Sequence, residues 1–231
     1  MVAEERRLRR WFQLRLRSLL IIFALLCIGL AWIASERRHS ARQLEVVEQL
    51  RPFDFDIQLG GKYDSLDRFY NKEPQGRWRR MARSLLGEHV IVANCYEYSF
   101  TDASILSELT DLKELSLVGT GVSDIRPLSG LCKLTALDLG DTDVVDVSPL
   151  ATLTRIEVLS VTRTQVSDVS PLAGLKHLDD LWLNECRVMD FSPLFGLKNL
   201  TLLEIDNNEP PISDDQLSRL RKALPNCSVS E

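Results

Sequence analysis

Residues 166–178 read VSDVSPLAGLKHL. Residues 144–156, twenty-two earlier, read VVDVSPLATLTRI, and residues 122–134 read VSDIRPLSGLCKL. Set in rows of twenty-two, Asp124, Asp146, Asp168 and Asp190 share a column. Pro127, Pro149, Pro171 and Pro193 share another, each followed by leucine. Further columns hold Leu131, Leu153, Leu175 and Leu197, and then Leu134, Ile156, Leu178 and Leu200. The pair Leu137/Leu139 recurs as Leu159/Val161, Leu181/Leu183 and Leu203/Ile205. An upstream row fits through Asp102, Leu106, Leu109, Leu112, Leu115, Leu117 and Thr120, with Ile105 in place of the proline.

Each column has a physical reading. The L-x-L pair is a short strand with both leucines inward, because strand side chains alternate. Thr120, Thr142, Thr164, Cys186 and Asn208 stand where the chain leaves the strand. There a side chain must satisfy buried backbone groups, which Thr and Asn do well and Cys weakly. Ser-Pro at Ser148, Ser170 and Ser192 predicts an N-cap followed by proline at the first helical position. Few residues remain for the return path, so a 3₁₀ or short helical turn is expected. The Asp column is read as turn-forming, each carboxylate bonding nearby backbone N–H groups, rather than as a cation ladder.

A period of this length with L-x-x-L-x-L marks a leucine-rich repeat. Rows such as VSDVSPLAGLKHLDDLWLNECR resemble the 22-residue, internalin-like class over residues 99–208, with Thr or Cys where that class commonly has Asn. The resemblance implies an α/β solenoid: a stack of short parallel strands with 3₁₀ or short helical returns and helical caps, here preceded by one transmembrane helix. The leader resembles those of bacterial membrane-anchored leucine-rich repeat proteins.

That leader is chemically distinct. Residues 1–51 hold ten Arg and five Glu, a net of +5, whereas residues 101–231 hold eleven Lys or Arg against twenty-one Asp or Glu, a net of −10. An acidic body is a poor ligand for phosphate backbones, so nucleic acid is not expected as a partner. Residues 18–35 carry no charge. As a helix rising ~1.5 Å per residue they span about 27 Å, the thickness of a hydrocarbon core. Six Arg precede the segment within residues 6–17, and Arg37, Arg38 and Arg42 follow it. This bias places the N-terminus in the cytoplasm and the repeats outside the plasma membrane, on a single-pass anchor. A cleaved signal peptide is the competing reading, but Trp32 occupies a position where cleavage wants a small residue.

The expected organisation is a basic cytoplasmic tail over 1–17, an anchor over 18–35 and a juxtamembrane helix and linker over 36–73. An N-terminal cap over 74–98, repeats over 99–208 and a C-terminal cap over 209–231 follow. Leu44, Val47 and Leu50 form one side of the juxtamembrane helix, and Gly60-Gly61 suggests a loop or weak hairpin. Trp78, Met81 and Leu85 share a face of the expected cap helix, with Val90, Ala93, Cys95 and Phe100 continuing the repeat columns. Ser213 and Gln216 form a capping box ahead of Leu217, Leu220 and Leu224.

No catalytic or metal motif stands out, so no enzyme, cofactor or metal is expected. The five cysteines show no C-x-x-C and no spacing suited to a metal, and no disulfide is predicted. GDTDVVD, residues 140–146, begins like a calcium loop but lacks its glycine and distal glutamate. The candidate function is binding of a protein or peptide on the strand face. Its central outward column is Asn94, Ser116, Asp138, Ser160, Trp182 and Glu204, flanked by Tyr96, Arg163, Asp180, Asn184 and Asp206. Asp138, Arg163, Asp180, Trp182, Glu204 and Asp206 are the candidate contacts, with Trp182 as the aromatic anchor. A structural spacer without a ligand, and a sensor subunit signalling through a membrane partner, are the alternatives.

Overall fold

The computed structural model describes residues 2–60 and 89–230. Among the described residues eight strands form one sheet in sequence order. They are β1 (Asp56–Gly60), β2 (His89–Asn94), β3 (Glu114–Ser116), β4 (Ala136–Asp138), β5 (Val158–Ser160), β6 (Asp180–Trp182), β7 (Leu202–Glu204) and β8 (Ser228–Ser230). From β2 to β8 every neighbour is parallel. The pairing Leu115↔Leu137, Leu137↔Leu159, Leu159↔Leu181 and Leu181↔Leu203 keeps each inward leucine directly over the last. The sequence period is therefore the sheet register, and the columns stack into one continuous core.

Between strands the chain returns through 3₁₀ turns at Ala103–Glu108, Arg126–Gly130, Ser148–Thr152, Ser170–Gly174 and Ser192–Gly196. The predicted serine N-caps are not formed. Val147, Val169 and Phe191 hold the cap position without a side-chain bond, and Ser148, Ser170 and Ser192 are already inside the turn. The aspartate column replaces them. Asp102, Asp124, Asp146, Asp168 and Asp190 each accept the backbone N–H two residues on, at 2.8–2.9 Å.

At the strand exits, the Thr120, Thr142 and Thr164 hydroxyls donate to the strand carbonyl three residues back, at 2.6–2.7 Å. Asn208 donates likewise to Ile205 and accepts from the Cys186 N–H at 2.8 Å. The Cys186 thiol donates instead to the Val161 carbonyl of the previous row, at 3.1 Å. Just before each of these residues the backbone is left-handed, at Gly119, Asp141, Arg163, Glu185 and Asn207. Only the first of those rows uses glycine, the residue that adopts this conformation freely.

The two ends are closed differently. At the C-terminus α2 (Asp214–Ala223) starts at Ser213, whose hydroxyl accepts the Gln216 N–H. Leu217, Leu220 and Leu224 are buried against the last repeat. Gln216 does not complete the reciprocal box; its side chain donates to the Met189 carbonyl at 2.6 Å.

At the N-terminus α1 (Val2–Leu50) is a single helix, and its last third covers the first repeat. The buried face is Glu36, Ser40, Gln43, Val46 and Leu50, while Leu44 is exposed. Val47 packs against the core edge. The amphipathic face expected from Leu44, Val47 and Leu50 is thus rotated, and it meets the solenoid. After α1, Phe53 and Phe55 pack edge-on against Phe100, with centroids 5.2 and 5.0 Å apart. β1 then pairs antiparallel with β2, so the segment taken as linker closes the sheet edge. The expected cap helix carrying Trp78, Met81 and Leu85 lies outside the described residues. The expected membrane segment, 18–35, lies in its first five residues outside the described side chains. Among the described residues no helix is long and apolar enough to cross a membrane. From residue 23 onward, Phe23, Leu25, Leu26, Ile28, Leu30 and Trp32 are exposed on α1.

Candidate functional site: the strand face

The outward residues of β2 to β6 line a shallow trough of ≈ 520 Å³. Its depth follows from residue size. Ser116, Ala136, Gly140 and Ser160 form the floor, between Asn94 at one end and Trp182 at the other. Gly140 is buried, and a Cβ there would sit 3.2 Å from Asp138 Oδ1. Its N–H donates to that same oxygen at 3.0 Å, so glycine lets the backbone itself orient the carboxylate.

Asp138, Arg163 and Trp182 are brought together here. Trp182 is half-buried and stands beside the smaller Ser160 of the neighbouring strand. Arg163 forms a two-pronged ion pair with Asp141, one row before it. Hydrogen bonding to Arg163 holds the Asp141 carboxyl below the usual carboxylate range and raises the guanidinium. Both occupy the left-handed column, which turns them to the rim. Sequence reading identified Arg163 but assigned Asp141 only to a calcium-like loop. The signal available was their spacing of one full row with opposite charge.

Asp180, Glu204 and Asp206 do not line the trough. They continue the face toward the C-terminal end and engage neighbours. Asn184 donates to Glu204 Oε2 at 2.9 Å, and its own carbonyl oxygen accepts the Asp206 N–H at 2.8 Å. The Thr201 hydroxyl donates to Asp180 and that of Ser230 to Asp206, at 3.4 and 3.5 Å. Glu114, at the near rim, was not singled out from sequence and does line the trough.

Among the described residues no group of three or more His, Cys, Asp or Glu could hold a metal. All five thiols are free, with Cys95 and Cys186 buried. Burial pushes the Cys227 thiol up to about 11, aided by the Asp180 charge.

A parallel sheet in 22-residue register, with 3₁₀ returns and a ladder of turn residues, defines a leucine-rich repeat solenoid. The chain has the leucine-rich repeat fold, and its 22-residue rows resemble those of internalins. Among solved structures, it is similar to the leucine-rich repeat protein LIC12759 of Leptospira interrogans, at 24% identity and TM-score 0.55, over 61% of this chain and 37% of that one. It is also similar to internalin C2 of Listeria monocytogenes, at 34% identity and TM-score 0.49, over 57% of each chain. The internalin inlF of the same organism matches at 35% identity and TM-score 0.48, over 56% of this chain and 43% of that one. The chain thus spans little more than half, or less, of each of these structures. No family model matches it, and no curated protein matches it significantly.

Proposed function

We propose that this chain is a non-catalytic binding module, held on a membrane by residues 18–35, whose strand face takes a protein or peptide partner outside the cytoplasm. The observation that carries the reading is the trough. It presents Trp182, Asp138 and a row of small polar side chains that the repeat does not need for its core. A half-buried tryptophan at the wall of a concave face is a typical interface anchor. Anchoring is supported by the uncharged run 18–35 and by the exposed apolar side chains of α1, a patch that water does not favour. Orientation rests on the excess of arginine before that run.

The test is affinity capture from membrane extracts with the full chain in detergent, alongside its Trp182→Ala variant. The variant should keep its thermal stability and lose the captured protein, with a cost of about 2 kcal/mol in binding. Equal recovery by both chains would remove the strand face as the site and leave a spacer role.

A further inference from the structure

The trough has an unequal charge balance. Its lining holds three carboxylates, Glu114, Asp138 and Asp141, and one guanidinium, Arg163. Arg163 is spent on Asp141, which leaves a net of −2 and no protein cation. Asp138 sits on the floor side of this arrangement, half-buried. One of its oxygens takes the Gly140 N–H; the other meets no hydrogen-bond donor among the described residues. Two strands on, along the same outward column, stands Trp182. Strands lie about 4.8 Å apart, so the two backbones are about 10 Å apart, with Ser160 between them.

We infer that Asp138 and Trp182 form the seat for one cationic side chain, an arginine or lysine, of an extended peptide lying along the trough. This rests on the strand-face reading and names the chemistry it selects. A carboxylate fixed by a backbone N–H supplies the charge-assisted bond. An indole face supplies cation–π attraction, which strengthens as water is excluded. Arg163 turns its Nε and Nη2 to Asp141 and makes no hydrogen bond to Asp138 among the described residues. The rest of the trough suits a peptide backbone. The Ser116, Ser160 and Thr162 hydroxyls meet no partner among the described residues. From Asn94 to Trp182 the trough crosses four strand intervals, about 19 Å, or about six residues of extended chain. The C-terminal half of the face differs, since Asn184, Glu204 and Asp206 bond one another.

The experiment pans a displayed library of random linear twelve-residue peptides against the full chain in detergent. Affinities of a selected peptide are then measured by fluorescence anisotropy. The expected peptides carry Arg or Lys at one fixed position. Replacing that residue by neutral citrulline or norleucine should weaken binding at least about tenfold. Asp138→Asn should weaken it to the same extent, with no further loss when both changes are combined and no change in thermal unfolding. If peptides are recovered that need Trp182 but carry no common cation, or that bind Asp138→Asn unchanged, the seat is overturned while the strand face stands as a binding surface. If no recovered peptide depends on Trp182, the seat and the strand-face reading both fall.

Discussion

His39 Nε2 lies 2.8 Å from Asp111 Oδ2, joining a helix that begins at Val2 to a repeat seventy-two residues further along the chain. Gln43 donates to the same oxygen at 3.1 Å, and Lys133 from the next row pairs with the other oxygen. One carboxylate thus collects α1 and two successive repeats. With Val46 and Leu50 buried beside it, the last third of α1 is part of the solenoid's end.

The first prediction follows from that attachment. A fragment starting at residue 74 lacks Val46, Leu50, Phe53, Phe55 and β1, and uncovers Ala93 and Phe100. A fragment starting at residue 36 keeps them. Burial of Val46 and Leu50 alone is worth about 1.5–3 kcal/mol each. The shorter fragment should unfold at markedly lower denaturant. Equal midpoints in urea titrations would show that α1 does not cap the stack. Within the full chain, Asp111→Ala should cost about 2 kcal/mol, since it strips a nearly buried acceptor from several donors.

Register gives the second prediction. Leu159 is fully buried and Ser160, next to it, faces the trough. Leu159→Asp places an unpaired charge in the core and should cost more than about 4 kcal/mol, enough to unfold the domain. Ser160→Asp should fold normally. Thermal denaturation followed by circular dichroism separates them.

The left-handed column supplies the third. Glu185 holds φ 54° with a side chain, where glycine would be relaxed. Glu185→Gly should be neutral or stabilise by up to about 1 kcal/mol. Gly119, at φ 73°, is the reverse case, and Gly119→Val should destabilise by about 1–2 kcal/mol. Opposite signs in paired chemical denaturation curves are the expected result.

Acid should loosen the turns. Hydrogen bonds from Ser104, Ser170 and Ser192 hold Asp102, Asp168 and Asp190 below the ordinary carboxylate range, and Arg126 brings Asp124 to about 2. A carboxyl depressed by folding binds protons more readily in the unfolded chain, so its contribution is present above about pH 3.9. That contribution is lost as pH falls through the folded value. Urea midpoints should therefore drop between pH 4 and pH 2. A variant with Asp102→Asn, Asp168→Asn and Asp190→Asn should show a shallower drop, because amides cannot titrate there. Parallel curves for the two proteins would assign the acid sensitivity elsewhere.

Topology is checked by proteolysis of intact spheroplasts. Added protease should digest the repeats without lysis, and the N-terminus should stay attached to the chain. Protection until lysis would reverse the orientation, and a mature chain starting near Ser35 would show a cleaved leader.

Much of this protein is determined by its sequence alone, because each row repeats one local problem. The twenty-two-residue spacing of Leu115, Leu137, Leu159, Leu181 and Leu203 already contains the parallel register, and the aspartates contain the turns, since an i to i+2 hydrogen bond needs only neighbours. What only the tertiary structure decided involves partners far apart in the chain. Glu36, Ser40 and Gln43 are polar, yet they are buried at the solenoid's end, where Gln43 donates to Asp111. The candidate contacts likewise read as one continuous strand face in the sequence. Its division into a trough at Asp138 and Trp182 and a self-bonded half at Asn184, Glu204 and Asp206 depends on which side chains are small enough to leave space and which reach one another across strands.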